Sequence, residues 1–408
     1  MNKNNFFPAT RQNALKQAEN FAPEMGSNYS SNRNIDRGLE GDSTVSKLSP
    51  YIRRRLMTEQ ELALLALETH GAKASGKFVQ EIVWRTYWKG WLEHRPTVWN
   101  DYLQDVADER DRLSSNTGIH HAYQQAIEGR TGIECFDVWA QELVETNYLH
   151  NHARMSFASI WVHTLRLPWS LGAEFFFHHL LDGDAASNTL SWRWVAGAHT
   201  AGKTYLADPA IINRCSNGRF SPKRGELATE AEEIADVDLP DRESLRQGGT
   251  LRNGMKTALL LTDDDCHVED LIGDQTFESI TTFATSNLRT ADGAAEAVVN
   301  FEREALADQT DRLQKLSHPP ATTLKNATAL TDWCAENDIQ QLAVAIVPQG
   351  PTLDALKPAF AKLKERNIAV IELQRDWDAL IWPHATAGFF KVKKQMPRFM
   401  QQLTSGHF

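Results

Sequence analysis

Residues 147–205 read NYLHNHARMSFASIWVHTLRLPWSLGAEFFFHHLLDGDAASNTLSWRWVAGAHTAGKTY, and their reading decides the fold. Two hydrophobic segments at helical spacing, rich in Trp and Phe, are joined by the turn Leu167-Pro168-Trp169 and lead into Asp-Gly-Asp and then Trp-Arg-Trp. An ordinary helical core is Leu-rich and does not place Arg154, Asp182, Asp184 and Asn188 among its apolar positions. Buried charges are costly unless paired or bonded. The pattern therefore predicts a polar ligand held inside an aromatic pocket.

Outward from that stretch, two further segments matter. GKFVQEIVWRTYW (76–88) predicts a helix on which Glu81, Trp84, Arg85 and Trp88 share much of one face. A carboxylate beside aromatics can orient a base or hand it a proton. STVSKLSPY (43–51) offers hydroxyls and backbone N–H groups at a helix start, which suit an anion. In that order, these segments resemble three motifs of the DNA photolyase and cryptochrome family, over roughly residues 29 to 220.

The resemblance implies an α-helical FAD-binding domain and assigns residues by motif position. Tyr29, Ser46, Leu48 and Ser49 would meet the phosphates and ribityl chain of FAD. Arg85 would join them, and Arg154 with Asp182 would form a buried pair near the flavin ring. Asp184 would accept from the ring's polar edge, and Asn188 would sit beside a ring nitrogen. Glu81, Trp84, Asn151, Met155 and Trp194 would face the lesion, and Trp192 and Trp169 would begin an electron-transfer chain. The family often has Thr where this chain has Val45, so either one phosphate hydroxyl would be missing or Ser43 and Thr44 would substitute. It has Trp where this chain has Ala126, so the electron route would end at Trp169 or leave through Tyr123, Trp139 or Trp161. Asn151 with Met155 resembles cyclobutane-dimer enzymes; those acting on (6–4) photoproducts generally carry His at both positions.

At 408 residues the chain exceeds the usual ceiling for one core, so two domains are expected. Its four widely spaced cysteines suit reduced thiols in a cytoplasmic protein without a metal centre, and the His150-x-His152 pair diverges on a helix. No signal peptide or membrane-spanning run is readable. Residues 1–45 are polar and read as an arm and loop, and 46–224 as the helical domain. Residues 225–253 read as a linker, with eight acids against two bases over 225–248. Near-neutral charge over 1–224 leaves room for a basic phosphate-binding face, drawn from Arg53, Arg54, Arg55, Arg95, Arg214, Arg219, Lys223 and Arg224.

From 254 to 408, apolar runs near 257–266, 278–285, 342–348 and 368–373 alternate with helical patterns, which predicts a small parallel α/β domain. It resembles a reduced or permuted form of the family's antenna-type domain, a generic α/β domain being the alternative. No antenna-binding motif is readable.

The function implied is light-dependent repair of cyclobutane pyrimidine dimers in UV-damaged DNA by electron transfer from reduced FAD, with the lesion turned out of the stack. Single-stranded DNA is the expected preference, since flipping costs least where bases are unpaired. The alternatives are a cryptochrome-like blue-light receptor without repair activity and a helical protein of incidental likeness.

Overall fold

The backbone of the helical region is the 35-residue helix Glu59–Glu93. Thr58 and Glu61 close a capping box at its start, each side chain accepting from the other's backbone N–H. Gly71, with φ of 70°, kinks it. Beyond the kink Phe78, Val79, Ile82 and Val83 face the core. In the computed structural model, which describes residues 7–38, 43–199, 204–231 and 239–406, four helices follow it: Thr97–Ser115, Thr117–Ile127, Glu134–Thr146 and Asn151–Ser159. A π-helical segment, Ile160–Thr164, prolongs the last of these. Helices Trp169–His179 and Ala185–Ala196 then pack against each other, the first also against Thr97–Ser115 and the second against Glu59–Glu93.

The expected arm over 1–45 is corrected by the structure for its described part. Thr10 caps a helix, Arg11–Phe21, by accepting from Asn13 N, and Ala14, Ala18 and Phe21 are buried. A second helix, Ser27–Asn32, carries Tyr29. The polar composition concealed an apolar stripe of mostly alanines at helical spacing. Residues 1–6 and 39–42 of that segment lie outside the described residues.

The C-terminal region holds a five-stranded, all-parallel sheet in the order β3-β2-β1-β4-β5. Its strands are β1 Thr257–Thr262, β2 Ser279–Phe283, β3 Ala321–Thr323, β4 Gln341–Ala345 and β5 Ala369–Leu373. The expected α/β class is the one found. β3 is an addition: three residues at a sheet edge carry too little pattern to be read in sequence. Ala258 pairs with Ser279 on one side and Leu342 on the other, so the buried β1 lies at the sheet's centre.

The expected linker is no loose tether where it is described; residues 232–238 lie outside the described residues. Arg246 forks onto Glu93 at 3.0 and 3.1 Å and reaches Glu372 of β5 at 2.7 Å. Gly249 N donates to Glu372 O at 2.8 Å, so this segment runs along the last strand.

Between the helices and the sheet lies a buried ionic network, which corrects the expectation of a basic face at 53–55. Arg53, Arg54 and Arg55 are all buried. Arg53 Nη1 lies 3.1 Å and Arg54 Nε 3.3 Å from Asp263. Arg55 meets Asp378 at 2.7 Å, Glu59 at 3.1 Å and Asp265 at 3.3 Å. Three consecutive arginines thus face three consecutive aspartates beyond the end of β1. That end, beside β4 where the strand order reverses, is where open parallel sheets leave a ligand crevice. Here the arginines enter it, and Gly350 after β4 abuts Ala185. Arg95 is buried too, stacked over the Trp91 ring at 4.5 Å, and Arg219 pairs with Asp36 and Glu142. Arg214, Lys223 and Arg224 remain exposed.

Candidate functional site

One cavity of about 660 Å³ opens among Glu59–Glu93, Asn151–Ser159, Ala185–Ala196 and the 45–49 loop. Its size falls in the range of small-molecule and cofactor sites. Fourteen predicted site residues line it: Tyr29, Ser46, Leu48, Ser49, Arg85, Arg154, Asp182, Asp184 and Asn188, with Glu81, Trp84, Asn151, Met155 and Trp194. Trp192 also lines the cavity, and Trp169 does not.

The polar floor comes from the Asp-Gly-Asp turn. Arg154 Nη2 lies 2.9 Å from Asp182 Oδ2, while Arg154 Nε donates to Leu149 O. Burial alone would raise the Asp182 carboxyl pKa, but Arg154 and Arg85 outweigh it and hold the group below the carboxylate range. Asp184 caps Ala185–Ala196 by accepting from Ser187 N at 2.8 Å. There too burial raises the pKa, yet Lys89, Arg85 and Arg53 together bring it to about 2. The buried Lys89 Nζ lies 3.8 Å from Asp184 Oδ2. Sequence reasoning missed Lys89, although it stands one helical turn after Arg85. Asn188 Nδ2 donates to Ala173 O at 2.8 Å, which fixes the amide at the cavity wall.

Toward the mouth, Glu81 is held by Lys77 at 2.6 Å and Arg33 at 3.7 Å. Asn151 lies 3.9 Å from Met155 Sδ, one turn on along the same helix. Trp194 stacks on Tyr205 at 5.8 Å, and Tyr29 meets Phe78 edge-on at 4.9 Å. Trp84 stacks on Phe389 with centroids 3.7 Å apart. Phe389 stands 305 residues downstream, and no sequence signal joins the two. Ser43 and Thr44 do not substitute at this cavity: their hydroxyls donate to Val45 O and Ile35 O within their own loop.

Among the described residues the ring neighbours of Trp192 are Phe176 at 5.0 Å, Trp161 at 6.1 Å and Phe157 at 6.4 Å. Trp161 lies 5.9 Å from the half-buried Tyr123. Trp169 faces Tyr102 instead, at 5.7 Å.

Several polar atoms on this wall have no partner within the chain. Asp182 Oδ1, Arg85 Nη1 and Ser187 Oγ are buried without a hydrogen bond, and all three residues line the cavity. Buried polar atoms are normally satisfied. An acceptor, a cation and a hydroxyl left free around one aromatic-walled space fit a large polar and aromatic ligand.

The family model described as the FAD binding domain of DNA photolyase matches residues 78–228. Residues 78–228 are a photolyase-type FAD-binding domain. The chain is 34% identical over 196 residues to the deoxyribodipyrimidine photo-lyase of Streptomyces griseus, covering 48% of this chain and 41% of that protein. It is 28% identical over 239 residues to that of Escherichia coli, covering 57% and 48%. The match thus spans less than half the length of either relative. Among solved structures, a Synechocystis cryptochrome is 20% identical with a TM-score of 0.41, covering 52% of this chain and 44% of that one. Asp182, Asp184, Arg85, Arg154 and Asn188, all within the matched residues, line the cavity together with the 46–49 loop and Tyr29.

Proposed function

We propose that the chain is a photolyase-type enzyme that repairs cyclobutane pyrimidine dimers in DNA under blue light. One observation carries the reading: Glu81, Trp84, Asn151, Met155 and Trp194 line the same cavity as Arg154, Asp182, Asp184 and Asn188. A site that only stored a cofactor would need no carboxylate, amide, thioether and indoles at its mouth.

When bound and reduced, FAD supplies the light-excited electron for dimer splitting. The chain's own residues do the rest. Arg154 and Asp182 would hold the ring in place, and Asp184, kept anionic, would accept from its polar edge. Asn188, anchored to Ala173 O, would face the ring nitrogen. Around the lesion, Trp84 and Trp194 would pack the flipped bases and exclude water, while Glu81 and Asn151 would orient them. With Ala126 in place of an aromatic, replenishing electrons would pass along Tyr123, Trp161 and Trp192 rather than through Trp169. Single-stranded DNA is the favoured context, because a base already unpaired costs least to turn out.

Repair of a defined dimer in an oligonucleotide under blue light tests this directly. Activity is expected in the parent protein and its loss in the Glu81→Ala, Asn151→Ala double variant. Equal rates on single- and double-stranded forms would remove the strand preference. One observation favours a light receptor without repair: Glu81 is already engaged by Lys77 and Arg33. Bound flavin that responds to light, with no dimer split, is the outcome that reading requires.

A further inference from the structure

With Arg53, Arg54, Arg55 and Arg95 buried, half of the cations expected to meet a phosphate chain are unavailable to it. A different set stands exposed on the segment whose Phe389 packs on Trp84 of the cavity wall. Over 379–406 the chain has four Lys or Arg and no Asp or Glu, in a protein of net charge −10. They are Lys391, Lys393, Lys394 and Arg398, all exposed. Val392, Met396 and Phe399, between them in sequence, are buried and anchor the segment. Its position is fixed from the helical side: Tyr87 Oη donates to Ala387 O at 2.9 Å and Arg95 Nη2 to Thr386 O at 3.1 Å. Phe389 stacks on Trp84 of the cavity wall, and the next residue, Phe390, is 76% exposed. That is the most exposed of the large hydrophobics among the described residues. Lys393 Nζ lies 5.9 Å from its ring.

We propose that the 388–398 segment of the C-terminal region is a nucleic-acid docking surface, which takes the phosphates flanking the cavity on Lys391, Lys393, Lys394 and Arg398 and stacks one unpaired base on Phe390. The proposal rests on the DNA reading above and adds where the strand lies. A lone exposed ring among cations, one residue from a ring packed on the cavity wall, matches the pairing of aromatic platform and basic track used for single strands. A membrane surface would instead call for a broader apolar face; this segment buries its other apolar side chains.

The test uses the full-length flavin-loaded protein and a labelled 20-nucleotide single strand, with and without a central dimer, titrated across salt concentrations. The Lys391→Glu, Lys393→Glu, Lys394→Glu variant is expected to bind at least tenfold more weakly. Its dependence of log affinity on log salt should flatten by about 2. Phe390→Ala should weaken single-strand binding about tenfold and leave that slope in place. Splitting of a free dinucleotide dimer, which has no flanking phosphates, should be the same in all three proteins. Affinity and salt slope equal to the parent's in the triple variant would overturn the proposal while leaving the repair reading intact. If undamaged strands bind through these residues but no dimer is split, the repair reading fails and the docking surface stands. A parent protein that binds phosphatidylglycerol vesicles but no oligonucleotide would overturn the docking surface in favour of a lipid one.

Discussion

Asp182 shows how a single residue links sequence to site. It stands in an Asp-Gly-Asp turn, pairs with Arg154, and keeps its second oxygen free at the cavity wall. Both the pair and the unmet acceptor point to a ligand, because a buried carboxylate with spare capacity is costly unless something completes it. Asp182→Asn keeps the shape but leaves Arg154 without its counter-charge. The expected outcome is correctly folded protein that retains FAD at least tenfold more weakly, read as flavin absorbance relative to protein after dialysis. A full flavin complement would show that the pair serves the fold and not the cofactor. These residues were legible in sequence because charges among Trp and Phe have few structural explanations. Lys89 was not, since a Lys in the middle of a helix usually lies on a solvated face.

At the scale of elements, the cavity exists because three helices approach closely behind it. Gly172 on Trp169–His179 is where Trp192 and Trp161 fit: a Cβ there would lie 2.4 Å from the Trp192 ring and 3.0 Å from Trp161. Gly172→Ala should therefore cost about 1–3 kcal/mol through overpacking. It should also move Trp192, seen as a lower denaturation midpoint together with changed tryptophan emission. An unchanged midpoint and spectrum would mean that the two indoles have room to give. The same packing puts Trp161, and not Trp169, among the ring neighbours of Trp192. Trp192 and Trp169 were readable as motif members, but ring-to-ring distances are set by helix crossing, and Trp161 lies closer to hand.

For the whole molecule, the deciding feature is the buried ionic contact between the helices and the sheet. Breaking such a network on one side leaves a buried charge uncompensated, at about 3–5 kcal/mol. Glu302 sits at its edge, accepting from Thr285 N at 2.6 Å and Ser286 N at 3.0 Å. Burial first, and Asp263 next, push its pKa from 4.5 up to about 7. A raised carboxyl binds a proton in the folded chain that the unfolded chain releases. Its contribution is therefore fully present below pH 4.5 and is lost as pH rises through 7, on the order of 3 kcal/mol. Relative to the parent, Glu302→Gln should gain thermal stability between pH 5 and 7 and level off above that; a pH-independent difference would refute the assignment. Comparing variant with parent cancels the opposing effect of His179 and His199, which burial holds at about 4 and which weaken the fold as pH falls below 6.5.

Sequence alone determined the helical cofactor domain, the parallel sheet and fifteen of the residues that line the cavity. Those depend on local periodicity and on charges too expensive to bury without a purpose. It could not tell that Arg53, Arg54 and Arg55 face Asp263, Asp264 and Asp265 across 210 residues, nor that Phe389 covers Trp84. A run of arginines reads the same whether it meets solvent, phosphate or buried carboxylates. Only the packing of sheet against helices decides which partner is present, and with it which cations are left at the surface.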